Sequence, residues 1–457
     1  MNNDINRQNR RTFLRRAGQG ALGALGTAGI IETATGDASA VTRLQRDTRA
    51  FSANDQIQIA VIGTGGMGSA NVNTALKIPG VKIVAACDCY DGRLTSAKES
   101  WGDDLFTTRD YREILAREDV DAVIVGTPDH WHQRISIEAM RSGKSVYCEK
   151  PMVHKIEEGA DLIKVSRETG KTFQVGSQGM SSLGNQKARE LYLDGAIGEL
   201  NYAEGFWARN SPVGAWQYAI PEDASEETCD WDMFVGKAEK RDFDPVRFFR
   251  WRNYRDYGTG VSGDLFVHLF SSLHYVVGAV GPNRISATGG LRYWKDGREV
   301  PDVLLGMFDY APTEAHPAFN LSLRVNFVDG TSGSTFLRLV GNEGAMDIEW
   351  SRVVLRRNKL AGATDVFADA KGEELKALHG ERKQMLPPAE SVYLAEDGYW
   401  GAHYDHHLNF LTGVREGTAA TEDAVFGLRA AAPALACNNS YFEDRLVKWD
   451  PVKMRLI

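Results

Sequence analysis

The sequence predicts an α/β protein in which a doubly wound parallel sheet comes first in the chain. Three observations support this fold class. A short β-rich run, Ile57–Ile62, leads directly into a glycine-rich turn and a helical segment. Strand and helix patterns then alternate as far as Val175, which is typical of βαβ units. The second half of the chain instead shows several strand patterns in succession before two helical segments close it.

Length and composition limit what kind of protein this is. The 457 residues suffice for two or three domains, and a hydrophobic fraction of 43% is ordinary for a globular chain. The net charge of −8 argues against sequence-independent binding to nucleic acid, because that requires lysine and arginine to meet phosphates. It also argues against docking on anionic membranes. Five cysteines, an odd and sparse number, do not suggest a disulfide framework.

The N-terminus has the order of features found in a twin-arginine secretion signal. Arg10 and Arg11 are adjacent, an apolar stretch rich in Gly and Ala follows at 17–31, and Ala-Ser-Ala at 38–40 forms a cleavage pattern. We therefore expect residues 1–40 to be a signal peptide and the mature protein to be periplasmic or otherwise exported. The alternative is a basic tail. No later segment has about eighteen consecutive apolar residues, so no membrane anchor is expected.

The glycine-rich turn after the first strand has the G-x-G-x-x-G spacing of a dinucleotide-binding loop. Gly63 permits a tight turn, Gly65 lets the backbone approach a pyrophosphate, and Gly68 allows close packing of helix on strand. The following helix N-terminus offers free amides and the positive end of its dipole to phosphates. The predicted cofactor-binding residues of this loop are Gly63, Thr64, Gly65, Gly66, Met67 and Gly68.

An acid at the end of the second strand predicts which dinucleotide is bound. Val81–Cys87 has a strand pattern, and Asp88 follows it, 20 residues after Gly68. A carboxylate at this point would accept hydrogen bonds from the ribose hydroxyls and repel a 2′-phosphate, so NAD is favoured over NADP. The alternative is a glycine turn of an unrelated βαβ unit followed by a chance acid.

Alternation of helices and strands continues beyond this first unit. The apolar run at 121–126 is typical of a strand buried on both faces. Together the elements predict a parallel sheet with helices on both sides. The helices are expected at 69–77, 110–116, 133–142 and 156–169, and further strands at 145–148 and 172–175.

Four stretches together resemble the signatures of one oxidoreductase family. They are the glycine loop at 63–68, Thr-Pro-Asp-His-Trp-His at 127–132, Glu-Lys-Pro at 149–151 and Gly-Asp-Leu-Phe-Val-His at 263–268. With these motifs in this order, the chain resembles the Gfo/Idh/MocA family over about residues 55–457. The resemblance is loose over 180–250 and 360–400.

The resemblance implies two domains after the signal peptide. A Rossmann domain would occupy 55–176, and an α/β domain with an open, mainly antiparallel sheet would occupy 177–457, bind the substrate and form a homo-oligomer contact. Patterns in the second half agree with this, although residues 361–396 show none that can be placed. The strands are expected at 201–209, 285–294, 303–310, 319–327 and 334–340, and closing helices at 405–414 and 423–437.

The resemblance also assigns cofactor contacts beyond the glycine loop. The residues concerned are Thr127, Pro128, His130, His132, Glu149 and Lys150. For His132, packing within its loop is an equally good interpretation. Lys150 would face the crevice and act as a proton relay or carbonyl polariser during hydride transfer. A solvated surface lysine is the alternative.

A second catalytic pair is expected in the second domain. Asp264 and His268 are four residues apart and would share one face of a helix, where a carboxylate can fix the imidazole tautomer. The resemblance makes His268 the base, with Asp264 orienting it or binding substrate hydroxyls. The alternative is a helix N-terminal acid beside a buried histidine. His274 would point elsewhere, so no metal site is predicted.

These assignments predict an NAD-dependent oxidoreductase that acts on a secondary hydroxyl of a sugar, glycoside or cyclitol. Tryptophans before the Asp264 motif suit sugar faces, but they are equally good core residues. One alternative is a redox-neutral glycoside hydrolase of the same family, in which NAD⁺ oxidises the sugar transiently. Another is a non-catalytic nucleotide- or sugar-binding protein, which would need neither the Glu-Lys-Pro nor the Asp-x-x-x-His motif.

Overall fold

The computed structural model describes residues 40–46, 56–210, 214–330, 335–361 and 384–457. Residues 1–39 of the expected signal peptide lie outside these ranges. The strands are β1 Ala40–Leu44, β2 Ile57–Ile62, β3 Val81–Cys87, β4 Phe106–Thr108, β5 Ala122–Val125, β6 Ser145–Glu149, β7 Phe173–Gly176, β8 Leu200–Ala208, β9 Arg284–Gly290, β10 Val303–Tyr310, β11 Phe319–Asn326, β12 Thr335–Gly341, β13 Gly344–Glu349, β14 Arg352–Ala361, β15 Gln384–Ala395, β16 Val447–Asp450 and β17 Arg455–Leu456.

Helices cover both sheets that these strands form. They are α1 Gly66–Ala75, α2 Asp91–Trp101, α3 Tyr111–Leu115, α4 His132–Arg141, α5 Glu158–Thr169, α6 Leu183–Leu193, α7 Trp231–Val235, α8 Pro245–Phe249, α9 Val267–Val277, α10 Ala402–Glu416 and α11 Ala424–Glu443. A π-helical turn, Ser262–Phe266, leads directly into α9. Asp110 caps α3, since its carboxylate accepts a hydrogen bond from the backbone of Arg112.

The first sheet has six parallel strands in the order β4-β3-β2-β5-β6-β7. The order reverses between β2 and β5, so the carboxyl ends of these two strands open a crevice. Every residue of β5 and β6 is buried, as expected of strands covered on both faces. The predicted doubly wound sheet is confirmed.

The second sheet has eleven strands in the order β1-β15-β14-β13-β12-β8-β11-β10-β9-β16-β17. Its pairs are antiparallel except β1 with β15 and β8 with β11. Burial alternates along β10 and β11, so one face carries the core and the other is open. Leu304 and Leu321 on the covered face share a core with Phe270 of α9. The predicted open, mainly antiparallel sheet is confirmed.

One helix expected in the second domain packs on the first. Tyr404, Leu408 and Leu411 of α10 share a buried core with Ile59 of β2 and Ile83 of β3. The amphipathic pattern of a helix shows which face is apolar but not which sheet covers it. The chain therefore returns to the nucleotide-binding half near its C-terminus.

Two other features of the second domain differ from expectation. The strand expected at 285–294 ends at Gly290, which has a φ of +154° and is followed by bends instead of further pairing. The ends of the stretch at 361–396 belong to the long hairpin strands β14 and β15, and its centre lies outside the described residues. The sequence pattern did not indicate these strands, because their stability depends on pairing with each other.

Candidate active site

A cavity of about 1140 Å³ connects the glycine loop of the first domain with the π-helical turn of the second. Its wall includes Gly65 at one end and Lys150, Asp264 and His268 at the other. The cavity therefore brings together Gly65 and His268, which are more than two hundred residues apart in the chain.

The glycine loop has the close approaches that its spacing requires. Gly63 has a φ of +90°, and a Cβ there would lie 2.7 Å from the backbone of Gly126. A Cβ on Gly68 would lie 1.9 Å from the carbonyl oxygen of Gly63. Gly66 has no neighbour within 4 Å of its Cβ position, and no side chain caps α1. Open space and free amides at this helix start suit a pyrophosphate.

Asp88 lies at the same end of the cavity. Its carboxylate accepts hydrogen bonds from the backbone amides of Thr64, at 2.9 Å, and Tyr90, at 3.0 Å. Arg93 lies 3.4 Å from it, and its guanidinium carbon is 3.7 Å from the Cβ position of Gly65. Arg93, which sequence analysis did not single out, adds a positive charge beside the expected phosphate position.

Some residues of the loop after β5 line the cavity, and others are buried in the protein interior. Thr127 and Pro128 line the cavity, as does Met67 of the glycine loop. The two histidines of this loop point elsewhere. His130 Nε2 donates to the carbonyl of Phe234 at 2.9 Å, and burial lowers its pKa to about 3.

His132 joins two loops of the first domain. Its Nδ1 donates to the carbonyl of Pro151 at 2.7 Å and its Nε2 to that of Thr127 at 3.0 Å. Burial alone would lower its pKa, but Cys148, the charge of Asp129 and the Pro151 carbonyl raise it to about 10. With both nitrogens bonded to the backbone, His132 is placed to hold the Thr127 and Pro151 loops together and not to contact a ligand.

Glu149 is fixed at the end of β6 by amide side chains. One carboxylate oxygen accepts hydrogen bonds from Asn71 and Gln178, each at 2.9 Å. His407 of α10 continues this network to Asn71, at 3.1 Å. Glu149 and Gln178 both line the cavity, so the network sets the position of a charged group next to Lys150.

Lys150 forms a buried ion pair with Asp264. Its Nζ donates to the Asp264 carboxylate at 2.8 Å and to the Asp264 backbone carbonyl at 2.6 Å. Arg252 donates to the same carboxylate oxygen at 3.2 Å. Although burial opposes ionisation, Lys150 and Arg252 hold the pKa of Asp264 well below its usual range. Asp264 is therefore an anion shared by two cations.

His268 lies beside this ion pair between two aromatic rings. Its ring centroid is 5.1 Å from that of Trp207 and 6.1 Å from that of Trp350. Burial and the charge of Lys150 hold its pKa well below its usual value, so the imidazole is neutral. A neutral imidazole in a cavity wall can accept a proton.

The hydrogen bond expected between Asp264 and His268 is not formed in the described structure, where His268 Nδ1 has no partner. Asp264 lies in the π-helical turn and His268 in the regular helix after it. The turn breaks the α-helical spacing on which the expectation rested, and the carboxylate faces Lys150 instead.

Sequence analysis missed other residues of this wall. Arg209, Arg252, Trp350 and His403 all line the cavity. The approach of α10 to the first domain brings in His403, and β13 leads to Trp350. Neither residue lies in a motif, so no local signal could have identified them.

In the described ranges, no three His, Cys, Asp or Glu side chains are grouped so that they could hold a metal ion. Across those same residues, no helix is both long and apolar enough to cross a membrane.

The fold and the cavity together define a two-domain nucleotide-binding α/β protein. The family model described as "Oxidoreductase family, NAD-binding Rossmann fold" (GFO_IDH_MocA) matches residues 57–177. These residues therefore form an NAD-binding Rossmann domain similar to that of this oxidoreductase family.

Curated relatives match part of the chain. A glycosyl hydrolase family 109 protein of Saccharopolyspora erythraea is 30% identical over 43% of this chain and 45% of its own. A 2,7-anhydro-N-acetylneuraminate hydratase of Mediterraneibacter gnavus is 32% identical over 35% and 42%. An inositol 2-dehydrogenase of Rubrobacter xylanophilus is 28% identical over 35% and 46%. The matched region thus spans less than half the length of each relative.

Solved structures resemble the whole fold. GenD2 from gentamicin A biosynthesis in complex with NAD has a TM-score of 0.64 at 17% identity, covering 89% of this chain and 99% of its own. Levoglucosan dehydrogenase in complex with NADH has a TM-score of 0.62 at 17% identity, covering 86% and 99%. At this identity the likeness establishes the two-domain architecture.

Proposed function

We propose that this chain is an NAD-dependent oxidoreductase that transfers hydride between nicotinamide and a secondary hydroxyl of a sugar, glycoside or cyclitol. The observation that carries the proposal is the single cavity that joins the glycine loop to Lys150, Asp264 and His268. A cofactor bound along this cavity would extend from the α1 N-terminus to the ion pair.

The residues at the far end of the cavity can manage the proton of such a reaction. NAD⁺, when bound, supplies the acceptor for the hydride. Two of the three N–H groups of Lys150 bond Asp264, which leaves one to polarise a substrate oxygen. His268, in the cavity wall next to Lys150, is the group that we expect to take the hydroxyl proton. Asn71 and Gln178 hold Glu149 in place, and Glu149 in turn fixes the position of its neighbour Lys150 relative to the cofactor-binding part of the cavity.

The names of similar proteins support the same substrate class. The inositol 2-dehydrogenase and the levoglucosan dehydrogenase are both named for oxidation of a carbohydrate or polyol. Trp207 and Trp350 beside His268 offer aromatic faces against which the C–H surface of a sugar could stack.

The test is the absorbance of reduced nicotinamide when purified protein and NAD⁺ meet a panel of sugars, glycosides and cyclitols. We expect one class to give a rise, and Lys150→Met to lower kcat by about 10²–10⁴-fold while NAD⁺ still binds. Lys155→Met, at an exposed position outside the cavity, is the matched control. Full turnover by Lys150→Met would overturn the assigned mechanism.

A redox-neutral glycoside hydrolase is a second candidate, favoured by the relatives named as glycosyl hydrolase family 109 proteins. In that case NAD⁺ bound in the cavity would supply the transient acceptor for the hydride, and the same residues would move the protons while the aglycone leaves. Nitrophenyl glycosides distinguish the two. Release of nitrophenol without net formation of NADH supports the hydrolase, whereas NADH accumulation without release supports the dehydrogenase.

We further propose export by the twin-arginine route, supported by Arg10, Arg11 and the sequence that follows them. Changing both arginines to lysine should retain the protein in the cytoplasm, as cell fractionation would measure. Unchanged export would contradict the proposal.

A homo-oligomer is proposed through the open face of the second sheet. Leu305 and Met307 of β10 are 43% and 52% exposed there, which is unusual for large apolar side chains on one strand. Light scattering on the purified protein tests this, and a monomer at all concentrations would refute it.

A further inference from the structure

We infer that the sugar substrate carries a carboxylate, recognised by Arg209 together with Arg252. The inference rests on the proposed function and specifies its substrate class. It starts from the charges at the catalytic end of the cavity. Three cations, Lys150, Arg209 and Arg252, line this end against two carboxylates, Glu149 and Asp264.

The carboxylates do not neutralise these cations one to one. Asp264 is shared, because Lys150 lies 2.8 Å and Arg252 3.2 Å from the same oxygen. Glu149 receives its hydrogen bonds from neutral amides. The side chains of Lys150 and Asp264 are only 10% and 9% exposed, so water screens this pair poorly. The unpaired positive charge is on Arg209, which is exposed, so an anion entering the cavity would find it open.

Arg209 is the cation available to a ligand. It lies just beyond the end of β8, and its guanidinium carbon is 5.9 Å from the ring centroid of Trp207. Within the described ranges no carboxylate pairs with its side chain, which remains exposed. Its charge nevertheless reaches the catalytic groups, since it lowers the pKa values of Asp264 and His268.

The arrangement favours a carboxylate over a phosphate. The excess of one positive charge matches a singly charged anion, and a planar guanidinium binds a carboxylate through two parallel hydrogen bonds. The indole of Trp207 lies near both Arg209 and His268. A sugar ring stacked on this indole would therefore extend from the anion site to the base. The carboxylate itself does not react. The carbinol C–H and O–H bonds break, C=O forms, NAD⁺ gains the hydride and His268 takes the proton.

The experiment compares uronates with neutral sugars of the same stereochemistry. NADH formation is measured with D-glucuronate against D-glucose and with D-galacturonate against D-galactose, at several salt concentrations. We expect kcat/KM for at least one uronate to exceed that of its neutral partner by at least tenfold, with the advantage falling as salt rises. Arg209→Gln should reduce that ratio by at least tenfold, chiefly through KM.

Arg284→Gln, an exposed arginine on the second sheet outside the cavity, is the control and should leave the ratio unchanged. Reduction of NAD⁺ by neutral sugars at equal or greater kcat/KM would overturn the inference and leave the proposed function standing. No reduction by any sugar, acidic or neutral, would overturn both. A ratio unaffected by Arg209→Gln would overturn the assignment of Arg209.

Discussion

At the scale of single residues, Asp264 organises the catalytic end of the cavity. It binds Lys150 from the first domain and Arg252 from its own domain. The motifs predicted that Lys150, Asp264 and His268 would meet, and the structure places all three in one cavity. The partner of Asp264 could not be predicted, because a four-residue spacing indicates a shared helix face and does not show which charge lies across the domain boundary.

In the glycine loop, substitution by alanine should have different effects on stability at Gly68 and at Gly66. Gly68→Ala would put a Cβ 1.9 Å from the carbonyl oxygen of Gly63, so strand and helix have to separate. We expect Gly68→Ala to lower the free energy of unfolding by about 1–3 kcal/mol. The same change should weaken NAD⁺ binding. Gly66→Ala meets nothing within 4 Å and should leave the melting temperature unchanged. Thermal unfolding with and without NAD⁺ measures both, and equal behaviour of the two variants would be inconsistent with the loop geometry.

At the scale of elements, a helix or strand could be predicted where a local sequence pattern specifies it and not where pairing with a distant segment does. The strand Ile57–Ile62 and the strand Val303–Tyr310 end where their patterns end. The π-helical turn Ser262–Phe266 left no mark in the sequence. Strands β14 and β15 were also missed, since their order comes from pairing with each other and not from a local pattern.

Helix α10 belongs to the core of the first domain, so a cavity made in it should lower the stability of that domain. Leu411 is 1% exposed among residues of the parallel sheet. Leu411→Ala should therefore destabilise the protein by about 2–4 kcal/mol, measured by urea unfolding, and NAD⁺ binding should be lost at lower urea than in the wild type. Leu446→Ala, at a position 42% exposed, is the control and should have little effect. A small effect at Leu411 would mean that α10 does not stabilise the first domain.

At the scale of the whole molecule, buried titratable groups set how stability depends on pH. Burial lowers the pKa of several histidines, to about 3 for His130 and His274, to about 4 for His406, and well below the usual value for His268 and His407. These imidazoles are neutral when folded, whereas the unfolded chain binds protons below about pH 6.5. Their contribution to stability is therefore lost as pH falls below that value.

Two groups act in the opposite direction. Burial raises the pKa of Glu422 to about 8, so its contribution is full below about pH 4.5 and is lost as pH rises through 8. His132, with a pKa of about 10, contributes fully below about pH 6.5 and loses this as pH rises. We expect the melting temperature to be highest near pH 6–7 and to fall on both sides. Glu422→Gln should flatten the alkaline side alone, and a level profile from pH 5 to 9 would contradict this account.

The return of α10 to the parallel sheet has a consequence for biosynthesis. During translation the nucleotide-binding half leaves the ribosome first, yet part of its core is supplied by Tyr404, Leu408 and Leu411. Those side chains emerge only after the whole second sheet up to β15 has been made. The first domain therefore cannot complete its core before α10 has emerged, and a ribosome that stalls before residue 402 leaves this apolar sheet surface open to chaperones.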